Sequence, residues 1–118
     1  MTGADARPAV LVYRHPDAPS VALREVCAGA EEEGVPTEVV PAADAPAGED
    51  ATALAHAAAL ASRLDVGVGL DAAGIVVVHH GKLPERSPAA STGPGAAPPD
   101  WRRAGRTAAR VVKGLPLG

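Results

Sequence analysis

Apolar residues come in short blocks along this chain, and the spacing inside each block separates strands from helices. Ala9-Val10-Leu11-Val12-Tyr13 is continuous and of strand length, as expected of a buried parallel strand. Ser20 then offers an N-cap for a helix running through Glu33. Its apolar residues Leu23, Val26, Cys27 and Ala30 fall at i, i+3, i+4 and i+7, which is one helical face. Gly34 suits the left-handed position that ends a helix, and Pro36 prevents resumption. Thr37-Glu38-Val39-Val40 is half polar and reads as a strand near a sheet edge.

A loop over 41–50, rich in Pro, Ala and Asp, leads to a second helix over 51–64 with Leu54, Ala57, Ala58, Ala61 and Leu64 on its core face. Two further strands are predicted over 65–70 and 74–78. Only Asp71-Ala72-Ala73 separates them, far too short for a parallel crossover, so they are antiparallel if they pair. Residues 84–99 are of low complexity in Pro, Gly, Ser and Ala and read as a mobile loop. A third helix runs from Pro99 or Asp100 to Lys113, with Ala104, Ala108, Val111 and Val112 inward, Gly114 as its stop and Pro116 blocking extension. The order strand, helix, strand, helix, strand, strand, helix implies an α/β sandwich whose sheet is mostly parallel with one antiparallel strand. Residues 1–8 read as a frayed N-terminus before a single domain over 9–118.

Composition narrows the picture. With 118 residues, no Phe, one Trp and one Tyr, the core is lean and built from Ala, Val and Leu. A net charge of −3 argues against a nucleic-acid binder with a basic footprint. No apolar stretch reaches the length of a membrane span, and the N-terminus lacks the apolar core of a signal peptide. The single Cys27 rules out an intramolecular disulfide, and the expectation is a soluble cytoplasmic domain.

The candidate chemistry centres on Glu31-Glu32-Glu33, placed where the first helix ends. Carboxylates there oppose the negative end of the helix dipole. Either a cation or basic partner neutralises them, or they form a solvated acidic face. On a helical wheel Glu32 lies almost opposite the core, flanked by Glu31 and Glu33, which makes it the carboxylate most able to reach a partner or a metal held by another chain. One carboxylate does not make a Mg²⁺ site alone, so a second contributor is needed. His79 and His80 follow directly on the fourth strand, and because adjacent strand residues point to opposite faces their imidazoles cannot easily share a metal; they read as strand-end histidines satisfied by backbone or water. His15 reads as a turn residue, His56 has no partner pattern, and Cys27 reads as an inert inward thiol. Val66-Gly67-Val68-Gly69-Leu70-Asp71 is not a dinucleotide fingerprint, because no helix opens after it; its glycines suit a close backbone approach or a bulge. The last helix is basic. Arg110 and Lys113 suit its C-terminus, while Arg102, Arg103 and Arg106 read as solvated or as contacts for an acidic partner. No catalytic constellation emerges.

Several segments, taken in order, resemble one family. They are Leu23-Arg24-Glu25-Val26, the run Glu31 to Pro36, Val66 to Asp71, Val76-Val77-Val78-His79-His80, Lys82-Leu83-Pro84 and Ala108 to Pro116. Together they are similar to the small (beta) subunit of the diol/glycerol dehydratase reactivating factor. The likeness covers roughly residues 9–117, and the acidic run and the closing segment are its specific parts. It implies a three-layer α/β/α sandwich of the anticodon-binding-domain-like type. It also implies a non-catalytic role in a chaperone-like factor that releases damaged cobalamin from inactivated adenosylcobalamin-dependent dehydratase. The small subunit would exchange with the dehydratase beta subunit, driven by a large subunit that carries the ATPase and binds ATP and ADP, in an assembly of two large and two small subunits. By the same resemblance Glu32 contributes to a Mg²⁺ site shared with the large subunit, and Glu31, Glu33, Arg106 and Arg110 are interface candidates. No nucleic acid or membrane partner is implied, and the location is cytoplasmic, with a bacterial microcompartment as a possible association. The chain departs from the family pattern at Gly105-Arg106-Thr107, where a Gly-Asn-Asn type segment is usual, and at 84–99, where a more apolar stretch could form a last strand. The alternative is a medium-subunit-like component of a B12-dependent dehydratase itself. A stand-alone flavodoxin-like ligand-binding domain is a third reading, one that no phosphate loop supports.

Overall fold

The computed structural model describes residues 7–41 and 50–114. Most of the segment 1–8 expected to fray, most of the 41–50 loop and the block at Pro116 lie outside those residues. The elements are β1 (Val10–Arg14), α1 (Ser20–Glu32), β2 (Thr37–Pro41), α2 (Ala51–Ala61), β3 (Val66–Leu70), β4 (Val76–His80), β5 (Ala90–Ser91) and α3 (Pro98–Lys113). They form one sheet in the order β2-β1-β3-β4-β5. β1 pairs in parallel with β2 and β3, and Val12 stands between Val39 and Val68. β4 runs antiparallel to β3, as the short link over residues 71–75 requires, and β5 runs antiparallel to β4. Only β4 is therefore reversed, and half-polar β2 lies at an edge.

Alternation along the strands builds three layers. Val10 and Val12 of β1, with Val66, Val68 and Leu70 of β3, join Val26, Trp101 and Ala108 in the main core beneath α1 and α3. Tyr13, one residue out of phase, packs on the other face against Leu54 and Ala58 of α2. Gly67 and Gly69 let α2 lie directly on β3. A Cβ at Gly67 would stand 2.2 Å from the Ala59 nitrogen, and one at Gly69 would stand 2.2 Å from the Ala51 carbonyl oxygen. These glycines serve a close backbone approach, as their place in a strand suggested.

Several elements differ from the sequence reading; β4, for one, runs over Val76–His80 and not 74–78. Ser20 does not cap α1, since the Pro19 carbonyl accepts from the Ala22 and Leu23 amides and makes Ser20 the first helical residue. Helix α2 stops at Ala61, because the Ser62 backbone turns extended and its hydroxyl instead donates to the Ala9 carbonyl at 2.7 Å. The segment 84–99 carries strand β5, held to β4 by the Ala89 amide on Val78 and the Thr92 amide on Val76. Helix α3 begins at Pro98, where the Asp100 carboxylate accepts from the Ala97 amide at 2.8 Å.

The inward face of α1 also differs. Its buried residues are Ala22, Val26, Gly29 and Ala30, whereas Leu23 and Cys27 are only half-buried. The helix is rotated toward α3, and small residues pack that seam where larger ones would hold the helices apart.

Candidate functional site

The site is assembled where α1 and α3 cross. Both helices follow strands of the same direction, so they return across the sheet in the same sense. A Cβ at Gly29 would stand 2.1 Å from the Arg102 carbonyl oxygen, and one at Gly105 would stand 2.0 Å from the Val26 carbonyl oxygen. Two glycines facing each other's helix bring the backbones into contact, and the longer side chains on either side then reach across. On α1, Glu25, Gly29 and Glu32 fall at i, i+4 and i+7 and line one stripe; on α3, Arg102 and Arg106 are one turn apart.

The resulting ladder matches every acidic residue on that stripe. Arg102 donates through Nε to Glu25 Oε1 at 2.8 Å and through its terminal nitrogen to Glu32 Oε2. Arg106 donates to Glu32 Oε1 at 3.2 Å. Further along, Lys113 donates to the Glu33 carbonyl and lies 3.8 Å from its carboxylate. Two of the three unfavourable charges at the C-terminal end of α1, those of Glu32 and Glu33, are thus compensated from α3, within the same chain. Arg102 and Arg106, read from sequence as solvated or as contacts for an acidic partner, are counter-charges of Glu32 within this chain. The signal that could have found them is the paired spacing, Glu25 to Glu32 on one helix and Arg102 to Arg106 on the other. The wheel missed it because it took Leu23 and Cys27, not the glycine seam, as the reference face.

Hydrogen bonds from Arg102 and then Arg106 hold the Glu32 carboxyl below the usual carboxylate range. A depressed folded-state value means that the ladder's contribution is complete above the ordinary carboxylate pKa and is lost as pH falls through the lowered one. We therefore expect the melting temperatures of wild type and Glu32→Gln to differ at pH 7 and converge on acidification below about pH 4. High salt should shrink the difference, because the groups are exposed. A difference that persists at low pH would show that charge is not the cause.

The other candidates resolve as follows. Glu31 is exposed, and Arg110 makes no ion pair among the described residues. His79 is fully buried; its Nδ1 accepts from the His80 amide at 3.0 Å and its Nε2 lies 2.9 Å from the Glu85 carbonyl, so its ring is satisfied by backbone groups. His80 accepts from the Lys82 amide, and His15 accepts from the Asp17 amide in a turn. His56 lies 4.8 Å from His79, ring to ring, and 3.9 Å from the Glu85 carboxylate.

A Mg²⁺ ion can take one ligand here. Glu32 is ionised and exposed, and each of its oxygens keeps a lone-pair position beyond the one its arginine uses. Among the described residues, no three His, Cys, Asp or Glu side chains are grouped to hold a metal. The remaining ligands of an ion at Glu32 must come from water and a partner.

Comparison with known proteins places the chain. Residues 7–118 match the family described as dehydratase medium subunit. Over 95 residues the chain is 37% identical to the "Probable glycerol dehydratase-reactivating factor small subunit" of Citrobacter freundii, covering 80% of this chain and 79% of that protein. Among solved structures, a glycerol dehydratase reactivase chain superposes with a TM-score of 0.85 at 35% identity, covering 95% of this chain and 97% of that one. A chain from a diol dehydratase-reactivating factor complexed with ADP and Mg²⁺ gives 0.81 at 33% identity, covering 95% and 98%. The chain belongs to the dehydratase medium subunit family. Within it, the likeness runs to the small subunits of dehydratase-reactivating factors, and the α/β sandwich is the fold of those proteins.

Proposed function

We propose that this chain is the non-catalytic small subunit of a reactivating factor for an adenosylcobalamin-dependent diol or glycerol dehydratase. The observation that carries this reading is end-to-end likeness: a reactivase chain is matched over 97% of its own length at 35% identity. The small subunit binds a large ATPase subunit, two of each in the assembly, and exchanges with the dehydratase beta subunit so that damaged cobalamin can leave. ATP and ADP belong to the large subunit and the cobalamin to the dehydratase; this chain brings a protein surface. It acts in the cytoplasm, where a microcompartment could enclose it with its client.

Within that role Glu32 supplies one carboxylate to a Mg²⁺ shared with the large subunit. Mg²⁺ would tie two protein surfaces together through oxygen ligands from each. Glu31, Glu33, Arg106 and Arg110 are the further interface candidates. Two features support this use of Glu32. Its carboxylate is exposed at the rim of the α1–α3 seam, and the diol dehydratase-reactivating factor of similar structure was solved with ADP and Mg²⁺.

Glu32→Ala should weaken Mg²⁺-dependent assembly with the large subunit by tenfold or more, on the order of one lost charge-assisted metal ligand. The isolated domain should stay folded by circular dichroism. Assembly unchanged by the substitution would remove Glu32 from the interface. The family description itself favours a second reading, a medium-subunit-like component of a dehydratase. Purifying the tagged chain from its native cells separates the two. An ATPase subunit at equal stoichiometry supports the reactivating factor, and a catalytic dehydratase subunit alone supports the alternative.

A further inference from the structure

We propose that Arg102 and Arg106 form an electrostatic latch on Glu32, which keeps the isolated chain from capturing a divalent cation and yields only where a partner supplies the remaining anionic oxygen ligands. This rests on the reading of Glu32 as a metal ligand. The latch itself is built from contacts within this chain.

Both oxygens of the Glu32 carboxylate are engaged, Oε2 by Arg102 and Oε1 by Arg106. The backbones that carry both arginines are held against α1. At Gly29 a Cβ would stand 2.1 Å from the Arg102 carbonyl oxygen and 3.0 Å from the Arg106 nitrogen, so both backbones sit on α1 one turn before Glu32. Arg102 is further tied by Nε to Glu25. The neighbouring Glu33 is matched separately by Lys113.

A divalent cation on Glu32 would meet two fixed positive charges. At a separation of about 5 Å each guanidinium lowers the affinity on the order of tenfold, even with the dielectric constant of bulk water. One carboxylate cannot overcome that opposition, but a set of partner oxygens around the same ion can. The latch thereby couples metal capture to docking: the small subunit does not load Mg²⁺ in solution, and metal enters only as the two surfaces meet. Arg102 and Arg106 are positioning residues, since they act on the metal through Glu32.

Mn²⁺, read by its electron paramagnetic resonance signal, serves as the probe, titrated into the full isolated chain. The Arg102→Gln, Arg106→Gln double variant should bind Mn²⁺ at least about tenfold more tightly than wild type. Arg103→Gln changes net charge on the same helix, but Arg103 pairs only with Asp100 among the described residues, so this variant should behave like wild type. Adding Glu32→Gln to the double variant should abolish the gain. Equal affinity in wild type and the folded double variant would overturn the latch, and so would a gain that survives Glu32→Gln. If the double variant does not fold, Arg106→Gln alone carries the test, because its ion pair with Glu32 is the one it makes among the described residues. Assembly with the large subunit, measured in parallel, reports separately on Glu32. If assembly never depends on Mg²⁺ the interface reading falls, whereas the latch is judged on the isolated chain.

Discussion

Gly105→Val should lower the stability of the domain by more than about 3 kcal/mol, the upper end of ordinary overpacking. Inserted bulk is tolerated when neighbouring side chains can shift. Here the first added carbon would stand 2.0 Å from the Val26 carbonyl oxygen and 3.0 Å from the Ala30 nitrogen, both part of the α1 backbone. Relief therefore requires the two helices to separate. Glycine inside a helix costs about 1 kcal/mol relative to alanine, so Gly105 is there for the contact and not for helix formation. Separation would also undo the pairs that Glu32 makes with Arg102 and Arg106, linking a packing change to the candidate interface. Urea unfolding followed by circular dichroism measures the loss. Gly105→Ala tests the same geometry with one carbon. A wild-type midpoint for both variants would mean that α1 and α3 are not in backbone contact.

Trp101→Ala should cost about 3–5 kcal/mol, the range for deleting a large buried aromatic side chain. Trp101 is the only tryptophan of a chain with no Phe, and it is 8% exposed within the main core. Its indole nitrogen donates to the Gly74 carbonyl at 2.9 Å, and its ring lies 3.4 Å from where a Cβ of Gly74 would be. The ring thus joins α3 to the turn between β3 and β4. Trp101→Phe separates the contributions. It keeps most of the apolar volume but leaves that carbonyl without its donor, and it should cost about 1–3 kcal/mol. If Trp101→Phe were as damaging as Trp101→Ala, the hydrogen bond would dominate over packing.

Much of the architecture was legible in the sequence because the physics acts locally. The continuous apolar run at Ala9–Tyr13 reads as a buried strand because both of its faces are covered. The short link predicted at Asp71–Ala73, five residues long in the structure, allows only antiparallel pairing, and β4 is the reversed strand. What was not legible depends on small residues. Gly29 and Gly105 carry little apolar surface, so a hydrophobic stripe does not mark them, yet they decide how close α1 and α3 come. That distance in turn decides whether Arg102 and Arg106 face water or Glu32. Strand β5 was missed for a related reason. Its two residues, Ala90 and Ser91, have no strand-forming side chains, and only hydrogen bonds from outside the segment define it. The acidic run itself was conspicuous. Its internal compensation was not, because the partners lie about 70 residues away along the chain.

The shared direction of α1 and α3 has a further result. Two helices laid side by side in the same sense add their dipoles instead of cancelling them, so their electronegative ends gather at one corner of the domain. Lys113 stands at that corner. It belongs to the last turn of α3, where a cation is favourable, and it also donates to the Glu33 carbonyl that closes α1. One ammonium group thus serves as terminus for both helices. Shortening the chain by the last turn of α3 would fray the end of a helix whose own sequence, 80 residues earlier, had not been touched.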